Sequence, residues 1–177
     1  MSDSKKFRDW DDRYAASDYL FGTAPNDFLK TVAHQLAPNS QILCLADGEG
    51  RNGVYLAAQG HTVTAVDQSR VGLEKAKKLA QQKQVSVETI KADLAEYDLG
   101  VESWDCIVSI FFHIPSEVRA NIYPRIIAAL KPGGSLILES YTPNQLNHKT
   151  GGPPTSDLML TKDQLTQYFS EMNLEHL

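Results

Sequence analysis

Short apolar runs alternate with amphipathic stretches along most of the chain. Five of these runs are rich in aliphatic and β-branched residues and are predicted to form β-strands: 41–46, 62–67, 86–91, 104–111 and 135–140. Apolar residues at helical spacing predict helices at 28–36, 54–58, 70–82 and 116–130, and one more after Thr161. Strands that alternate with helices are typical of a parallel sheet covered by helices. We therefore expect an α/β fold with a doubly wound, mostly parallel sheet and helices on both faces.

The composition is that of a single globular domain. The chain has 177 residues, of which 42% are hydrophobic and 22% charged, and its formal net charge is −5. No apolar run approaches the ~18 residues of a membrane span, and residues 1–6 are polar, unlike a signal peptide. We expect a cytoplasmic protein with no membrane partner.

Cysteine and lysine usage limit the kinds of site and partner. Cys44 and Cys106 are too few for a disulfide framework or a zinc site, so no metal site is predicted and both are interpreted as small core residues. The acidic balance and the lack of a basic stripe argue against a nucleic-acid partner. Lys75, Lys77 and Lys78 are expected to form a solvated helix face. The predicted partner is a small molecule, and the predicted state is a monomer or dimer.

A glycine-rich loop follows the first predicted strand, at the edge of the sheet where parallel strands place ligands. Residues 48–53, Gly-Glu-Gly-Arg-Asn-Gly, match the pattern G-x-G-x-x-G between a strand and a helix. Asp67 ends the next strand, and a carboxylate there can accept hydrogen bonds from both ribose hydroxyls of an adenosine. Together they indicate an adenosine-containing cofactor, either a dinucleotide or S-adenosylmethionine.

The charges of this loop favour S-adenosylmethionine. Asp47 and Glu49 flank the first glycine, and each carboxylate would repel a pyrophosphate by ~3 kcal/mol at ~6 Å and an effective dielectric of ~20. S-adenosylmethionine presents an ammonium and a sulfonium, which suit two carboxylates. Arg51 and the helix N-terminus can face its single carboxylate.

Two later features complete a resemblance that covers residues 42–140. Asp93 follows the third strand, where it can accept a hydrogen bond from the adenine amino group, and Lys-Pro-Gly-Gly at 131–134 turns into the fifth strand. With the glycine loop and Asp67, they make the chain resemble a class I S-adenosylmethionine-dependent methyltransferase. The resemblance implies a Rossmann-like fold, S-adenosyl-L-methionine as cofactor, S-adenosyl-L-homocysteine as product, and a small-molecule methyl acceptor.

A narrower resemblance and some departures refine this reading. Residues 48–52 and 21–26 resemble the small branch that includes tellurite-resistance and thiopurine methyltransferases. The family usually has an acidic residue and a glycine where this chain has Cys44 and Ala46. We expect Asp47 to take part of the role of that missing acid, which holds the cofactor's amino group. The family's sheet ends with two further strands, which we expect to be missing from this chain.

The single domain, 1–177, divides into three predicted regions. Residues 1–25 mix polar and aromatic side chains and are expected to form a lid whose rings face the sulfonium. Residues 41–140 are the cofactor-binding core, and residues 141–160 are a long substrate-side loop. The resemblance and the loop chemistry together give these predicted cofactor-binding residues: Arg13, Tyr19, Ala46, Asp47, Gly48, Glu49, Gly50, Arg51, Asn52, Asp67, Gln68, Asp93, Leu94 and Ile110.

His113 is the candidate catalytic residue. It follows the fourth strand, where the resemblance implies that the methyl acceptor lies. An imidazole with a pKa near ~6.5 could remove a proton from a hydroxyl, thiol or amine. The alternative is a half-buried histidine that is hydrogen-bonded to backbone.

Two other functions stay open. An NAD(P)-dependent oxidoreductase would explain the glycine pattern, but the two loop acids and the lack of a Tyr-x-x-x-Lys pair oppose it. A non-catalytic sensor that binds S-adenosylmethionine or S-adenosylhomocysteine would be compatible with the altered residues Cys44 and Ala46.

Overall fold

The computed structural model describes residues 10–148 and 150–175. The strands are β1 (Gln41–Leu45), β2 (Thr62–Asp67), β3 (Glu88–Lys91), β4 (Trp104–Ile110) and β5 (Leu130–Glu139). The helices are α1 (Trp10–Tyr14), α2 (Asp27–Val32), α3 (Arg51–Ala58), α4 (Arg70–Gln82), α5 (Ser116–Ala129) and α6 (Lys162–Tyr168). The polar opening stretch, 1–6, and the first nine residues of the predicted lid lie outside the described residues.

The five strands form one sheet in the order β3-β2-β1-β4-β5, and every neighbouring pair is parallel. Helices α3, α4 and α5 connect β1 to β2, β2 to β3 and β4 to β5. The strand order reverses between β1 and β4, which opens a crevice at the carboxyl ends of these central strands. The prediction of a Rossmann-like, doubly wound parallel sheet is confirmed.

Side chains of β1 pack against helices on both faces of the sheet. Ile42 and Cys44 belong to an apolar cluster that includes residues of α2 and α3. Leu43 and Leu45 point the other way, into a cluster that includes residues of α5. Burial on both faces explains why the strand is a continuous apolar run and not an alternating one.

Polar side chains cap three of the helices. Asn26, Ser69 and Thr161 each accept a hydrogen bond from a backbone N–H in the first turn of α2, α4 and α6. At α6 the cap is a full capping box, because Gln164 also accepts from the Thr161 backbone N–H. The caps at Ser69 and Thr161 stand where the predicted helices 70–82 and after Thr161 begin.

Several elements begin or end one to three residues from their predicted bounds, and two differ in form. The helix expected over 28–36 is α2 followed by a 3₁₀ turn, Ala33–Gln35. Strand β5 begins at Leu130, opposite Trp104, and its pairing with β4 resumes at Ser135. Residues 131–134 bulge from the ladder, since Pro and Gly do not sustain regular pairing.

The segment after β5 packs back onto the core. Two 3₁₀ turns, Pro143–Asn147 and Ser156–Leu158, lead to α6. Leu160 and Phe169 are buried in the same cluster as Tyr123 of α5. No strand follows β5 within 140–148 or 150–175, so β5 pairs with β4 alone there. No helix in the described ranges has the length and apolarity that crossing a bilayer demands.

Candidate cofactor and acceptor site

Asp67 joins the end of β2 to the glycine loop. One carboxylate oxygen accepts from the backbone N–H of Gly48 at 2.8 Å, and the other accepts from Ser69 at 2.7 Å. Burial raises the pKa of Asp67, although both backbone hydrogen bonds act in the opposite direction. Each oxygen keeps a second lone pair, so the carboxylate can accept further hydrogen bonds from a ligand.

Asp47 lies beneath the same loop. Its carboxylate accepts from the backbone N–H of Gly53 at 3.1 Å, and a Cβ on Gly53 would come within 2.5 Å of it. Burial raises the pKa of Asp47 to about 7, and the neighbouring Asp67 adds to the shift. Burial, and after it the Asp47 charge, raises the pKa of Cys44. Ala46, where the family has glycine, adopts a φ of 51°.

Glu49 forms a buried ion pair with Lys75 of α4. Glu49 Oε1 lies 2.5 Å from Lys75 Nζ, with side-chain exposures of 3% and 10%. The other Glu49 oxygen accepts from the backbone N–H of Leu20 at 2.7 Å. The expectation that Lys75 is solvated is wrong, whereas Lys77 and Lys78 are exposed. Because Lys75 compensates the Glu49 charge, only Asp47 still supports the electrostatic argument from the loop.

Residues 14–26, which we call the strap, run from α1 across the glycine loop. Tyr14 fits against two glycines: a Cβ on Gly48 would lie 2.5 Å from the Tyr14 hydroxyl oxygen, and one on Gly72 would lie 3.0 Å from the ring. The Tyr19 hydroxyl donates to the Lys75 carbonyl at 3.0 Å, so Tyr19 offers a ligand its ring and not a free hydroxyl. The strap ends where the backbone N–H of Asn26 donates to Asn52 Oδ1 at 2.9 Å.

Two guanidinium groups approach the exposed ring of Phe21. Arg13 Cζ lies 4.3 Å from the Trp10 ring centre and 5.9 Å from that of Phe21, and Arg51 Cζ also lies 5.9 Å from Phe21. Within 10–148 and 150–175 neither arginine forms an ion pair. This corner of the loop can therefore receive an anionic group.

The remaining predicted cofactor residues lie at neighbouring strand ends. The backbone N–H of Ala92 donates to the Asp67 carbonyl at 3.1 Å, which joins the ends of β2 and β3. Asp93 is exposed, its carboxylate accepts from the Ala95 backbone N–H at 2.9 Å, and Leu94 is buried. Gln68 is exposed after β2, whereas Ile110 is buried at the end of β4. Gly50 opens α3 with a φ of 85°.

His113 lies against the substrate-side loop. Its ring stacks on Tyr141 with centres 5.6 Å apart, and Tyr141 stacks on Phe111 at 4.9 Å. His113 Nδ1 lies 3.2 Å from the carbonyl oxygen of Leu158. A carbonyl can only accept, so Nδ1 carries the proton and Nε2 keeps its lone pair. Burial lowers the pKa of His113, which favours this neutral form at pH 7.

A groove of about 610 Å³ opens between the strap, α3 and the ends of β4 and β5. Phe21 and Phe111 contribute rings, Arg51 a cation and Glu139 a carboxylate. Asn26 Nδ2 donates to Glu139 Oε2 at 2.7 Å and so holds that carboxylate in place. The described residues contain no cluster of three or more His, Cys, Asp or Glu side chains able to bind a metal.

Reasoning from the sequence missed two of these groups, Lys75 and Glu139. Lys75 is three residues after Gly72 and four before Leu79, both buried, so helical spacing already placed it on the inward face. Glu139 is 113 residues from Asn26, and no local pattern indicates that pairing.

Comparison with known proteins gives a family match. Residues 42–134, just over half of the chain, match the model of a methyltransferase domain. An uncharacterised methyltransferase of Bacillus subtilis, YodH, is 32% identical over 132 residues, which cover 71% of this chain and 56% of YodH. The chain spans about half the length of the curated relatives it matches.

Solved structures share the fold. TehB from Haemophilus influenzae superposes with a TM-score of 0.70 at 21% identity, over 91% of this chain and 55% of that one. Magnesium protoporphyrin IX methyltransferase from Synechocystis, solved with bound S-adenosylhomocysteine, has a TM-score of 0.62 at 19% identity, over 81% and 68% of the two chains. With the family match, the glycine loop and the strand-end aspartate, the chain belongs to the methyltransferase domain family.

Proposed function

We propose that this protein transfers a methyl group from S-adenosyl-L-methionine to a small-molecule acceptor, leaving S-adenosyl-L-homocysteine. The observation that carries the proposal is the hydrogen bond from the Gly48 backbone N–H to Asp67. It holds a buried carboxylate beside the glycine loop at the carboxyl edge of a parallel sheet, where an adenosine can be recognised.

The chemistry of the donor set matches the proposed cofactor. Hydroxyl and ammonium donors of the ligand would meet the carboxylates of Asp67 and Asp47. A ligand carboxylate would meet Arg13 or Arg51, which lack an ion pair among the described residues. Asp93, Leu94 and Gln68 are the candidates for the adenine end, because they follow β3 and β2.

Residues on the acceptor side would orient the acceptor and accept its proton. The bound sulfonium supplies a methyl group that is already reactive. The groove beside Phe21, Arg51 and Glu139 would hold the acceptor in line. His113, protonated on Nδ1, has Nε2 free to take a proton from a hydroxyl or amine acceptor.

We also propose that the chain stands close to the tellurite-resistance and thiopurine branch. The two segments that resemble this branch are in contact, since the backbone N–H of Asn26 donates to Asn52 Oδ1, and that of neighbouring Leu20 donates to Glu49. The proposed partners exclude nucleic acid and membrane, in keeping with the net charge of −5. A cytoplasmic location and a monomeric or dimeric state belong to the same proposal.

Thermal unfolding with two ligands tests the cofactor. S-adenosylhomocysteine at ~1,000 times its Kd should add ~4 kcal/mol of stability, or roughly 8–16 °C in Tm at this chain length. Reduced nicotinamide cofactor should leave Tm unchanged. A shift with the nicotinamide compound alone would establish the oxidoreductase alternative.

An acceptor panel then tests catalysis. Thiol, tellurite or selenite, phenol, amine and RNA acceptors would be incubated with methyl-labelled cofactor. Label on a small acceptor supports the proposal, whereas label only on RNA contradicts the acceptor class. Cofactor binding without product from any acceptor would favour the sensor.

A further inference from the structure

We propose that Lys75 and Glu49 are positioning residues that lock the strap against the glycine loop and so give the cofactor site one of its walls. This inference rests on the proposed cofactor binding. The positions of Lys75 on α4 and Glu49 in the loop do not by themselves indicate this role. The role follows from the way the strap surrounds the Lys75 ammonium.

The strap wraps around a single ammonium group. Lys75 Nζ donates to the backbone carbonyls of Tyr14, Ala16 and Asp18 at 3.2, 2.9 and 2.7 Å, in addition to its ion pair with Glu49. Tyr14 is the last residue of α1, and Ala16 and Asp18 lie in no helix or strand that could pair their carbonyls. The conformation of this part of the strap therefore depends on one side chain from a rigid helix.

The strap also donates hydrogen bonds to α4 and to the glycine loop. The Tyr19 hydroxyl donates to the Lys75 carbonyl, and the Lys75 ammonium lies 5.2 Å from the centre of the Tyr19 ring. Glu49 accepts from the Leu20 backbone N–H with the oxygen that does not face Lys75. Because both charges are buried, removal of either one leaves its partner uncompensated.

This lock acts on the site and not only on the strap. Glu49 lies between Gly48 and Gly50, two loop glycines with positive φ, so its side chain ties the loop backbone to Lys75. The locked strap continues directly to Phe21, beside Arg51 at the mouth of the groove. Release of the ammonium would therefore loosen residues 14–20 of the strap and the Glu49 side of the loop together, while Asp67 still holds Gly48.

Lys75→Met tests the role, with Lys77→Met on the exposed face of the same helix as its matched control. Three quantities are measured: the Kd for S-adenosylhomocysteine, the exchange rate of the Leu20 amide in the ligand-free protein, and Tm. We expect Lys75→Met to speed Leu20 exchange and weaken binding at least tenfold at a temperature where the variant is folded. Lys77→Met should change neither by more than twofold.

The outcomes separate positioning from simple stability. Faster Leu20 exchange with an unchanged Kd would overturn the proposal, since the pair would then serve the fold alone. If Lys75→Met does not fold, Glu49→Gln, which keeps the side-chain size and deletes the charge, carries the same expectation. A wild-type protein that binds no S-adenosylhomocysteine would refute the proposed function, and with it the positioning of a cofactor. The Leu20 exchange difference would still report whether the lock exists.

Discussion

The carboxylate of Asp67 accepts a 2.8 Å hydrogen bond from the Gly48 backbone N–H, and its other oxygen accepts from Ser69. The end of β2 is thereby fixed to the loop after β1. Replacement of Asp67 by Asn should break one of these two hydrogen bonds, because the Asn side chain presents an NH₂ group to one of the two backbone N–H donors.

Asp67→Asn should weaken binding of S-adenosylhomocysteine by at least tenfold and lower the free energy of unfolding by ~1–3 kcal/mol. Calorimetric titration and denaturant unfolding measure the two effects. Asp98→Asn is the control, since Asp98 also accepts from a backbone N–H, at Gly100, but is exposed in a loop before β4. Equal binding by wild type and Asp67→Asn would remove Asp67 from the site.

Asp47 makes stability depend on pH. Its pKa of about 7 in the folded protein is above the unfolded value of 3.8, so the folded state binds the proton more tightly. The resulting stabilisation is fully present below pH ~4 and is lost as pH rises through ~7, by up to about 4 kcal/mol. Asp47→Asn should remove this dependence, which denaturant unfolding of both proteins between pH 5 and 8 can measure. Parallel curves for the two would contradict the assignment.

The same titration should affect binding of the cationic cofactor. An ammonium interacts favourably with Asp47 only when the carboxyl is ionised, so affinity should rise with pH near 7 in the wild type. Asp47→Asn should bind the cofactor more weakly than the wild type, and its affinity should change less between pH 5 and 8.

Gly50 tolerates no side chain for two reasons. Its φ is +85°, and a Cβ would lie 2.5 Å from Ala76 Cβ and 2.8 Å from Ala76 Cα. Gly60, with φ +93° and no atom within 4 Å of an added Cβ, isolates the backbone strain. We expect Gly60→Ala to cost ~1–2 kcal/mol and Gly50→Ala a further ~1–3 kcal/mol. If denaturant unfolding shows that both variants lose a similar free energy of unfolding, then α3 and α4 can move apart at Gly50 without cost.

His113→Ala should separate chemistry from cofactor binding. With the Nε2 base removed, turnover of phenol or amine acceptors should fall by ~10²–10⁴ while the Kd for S-adenosylhomocysteine stays within twofold. Thiol acceptors, which ionise more readily, should lose less. His61→Ala is the control, because at His61 the ring accepts from the Ser40 backbone N–H, next to the start of β1. A uniform loss with every acceptor would indicate that His113 only holds the loop at Leu158.

Much of the fold was predictable because local sequence patterns determine the strands and the helix starts. The five strands are short apolar runs that end near glycine or polar residues, and Ser69 and Thr161 mark helix starts that the structure confirms. The bulge at 131–134 could not be predicted from local sequence, because it depends on the pairing of Leu130 with Trp104 in another strand.

The site was predictable only in part. The glycine loop and Asp67 lie at the crevice because topology brings strand ends together. Lys75 was misassigned because lysines in a lysine-rich stretch are normally solvated, and the carbonyls that bind its ammonium lie about sixty residues earlier. The carbonyl that sets the His113 tautomer likewise comes from Leu158, 45 residues later.

The two thiols in the middle of the sheet have a practical consequence. Cys44 and Cys106 are at most 1% exposed, and burial raises the pKa of both, that of Cys106 to about 12. Thiolate is the form that attacks disulfide reagents, so neither sulfur can react until β1 and β4 come apart. The rate of thiol labelling in native buffer thus measures how often the whole domain opens, and any compound that binds the folded chain will slow it in proportion to occupancy.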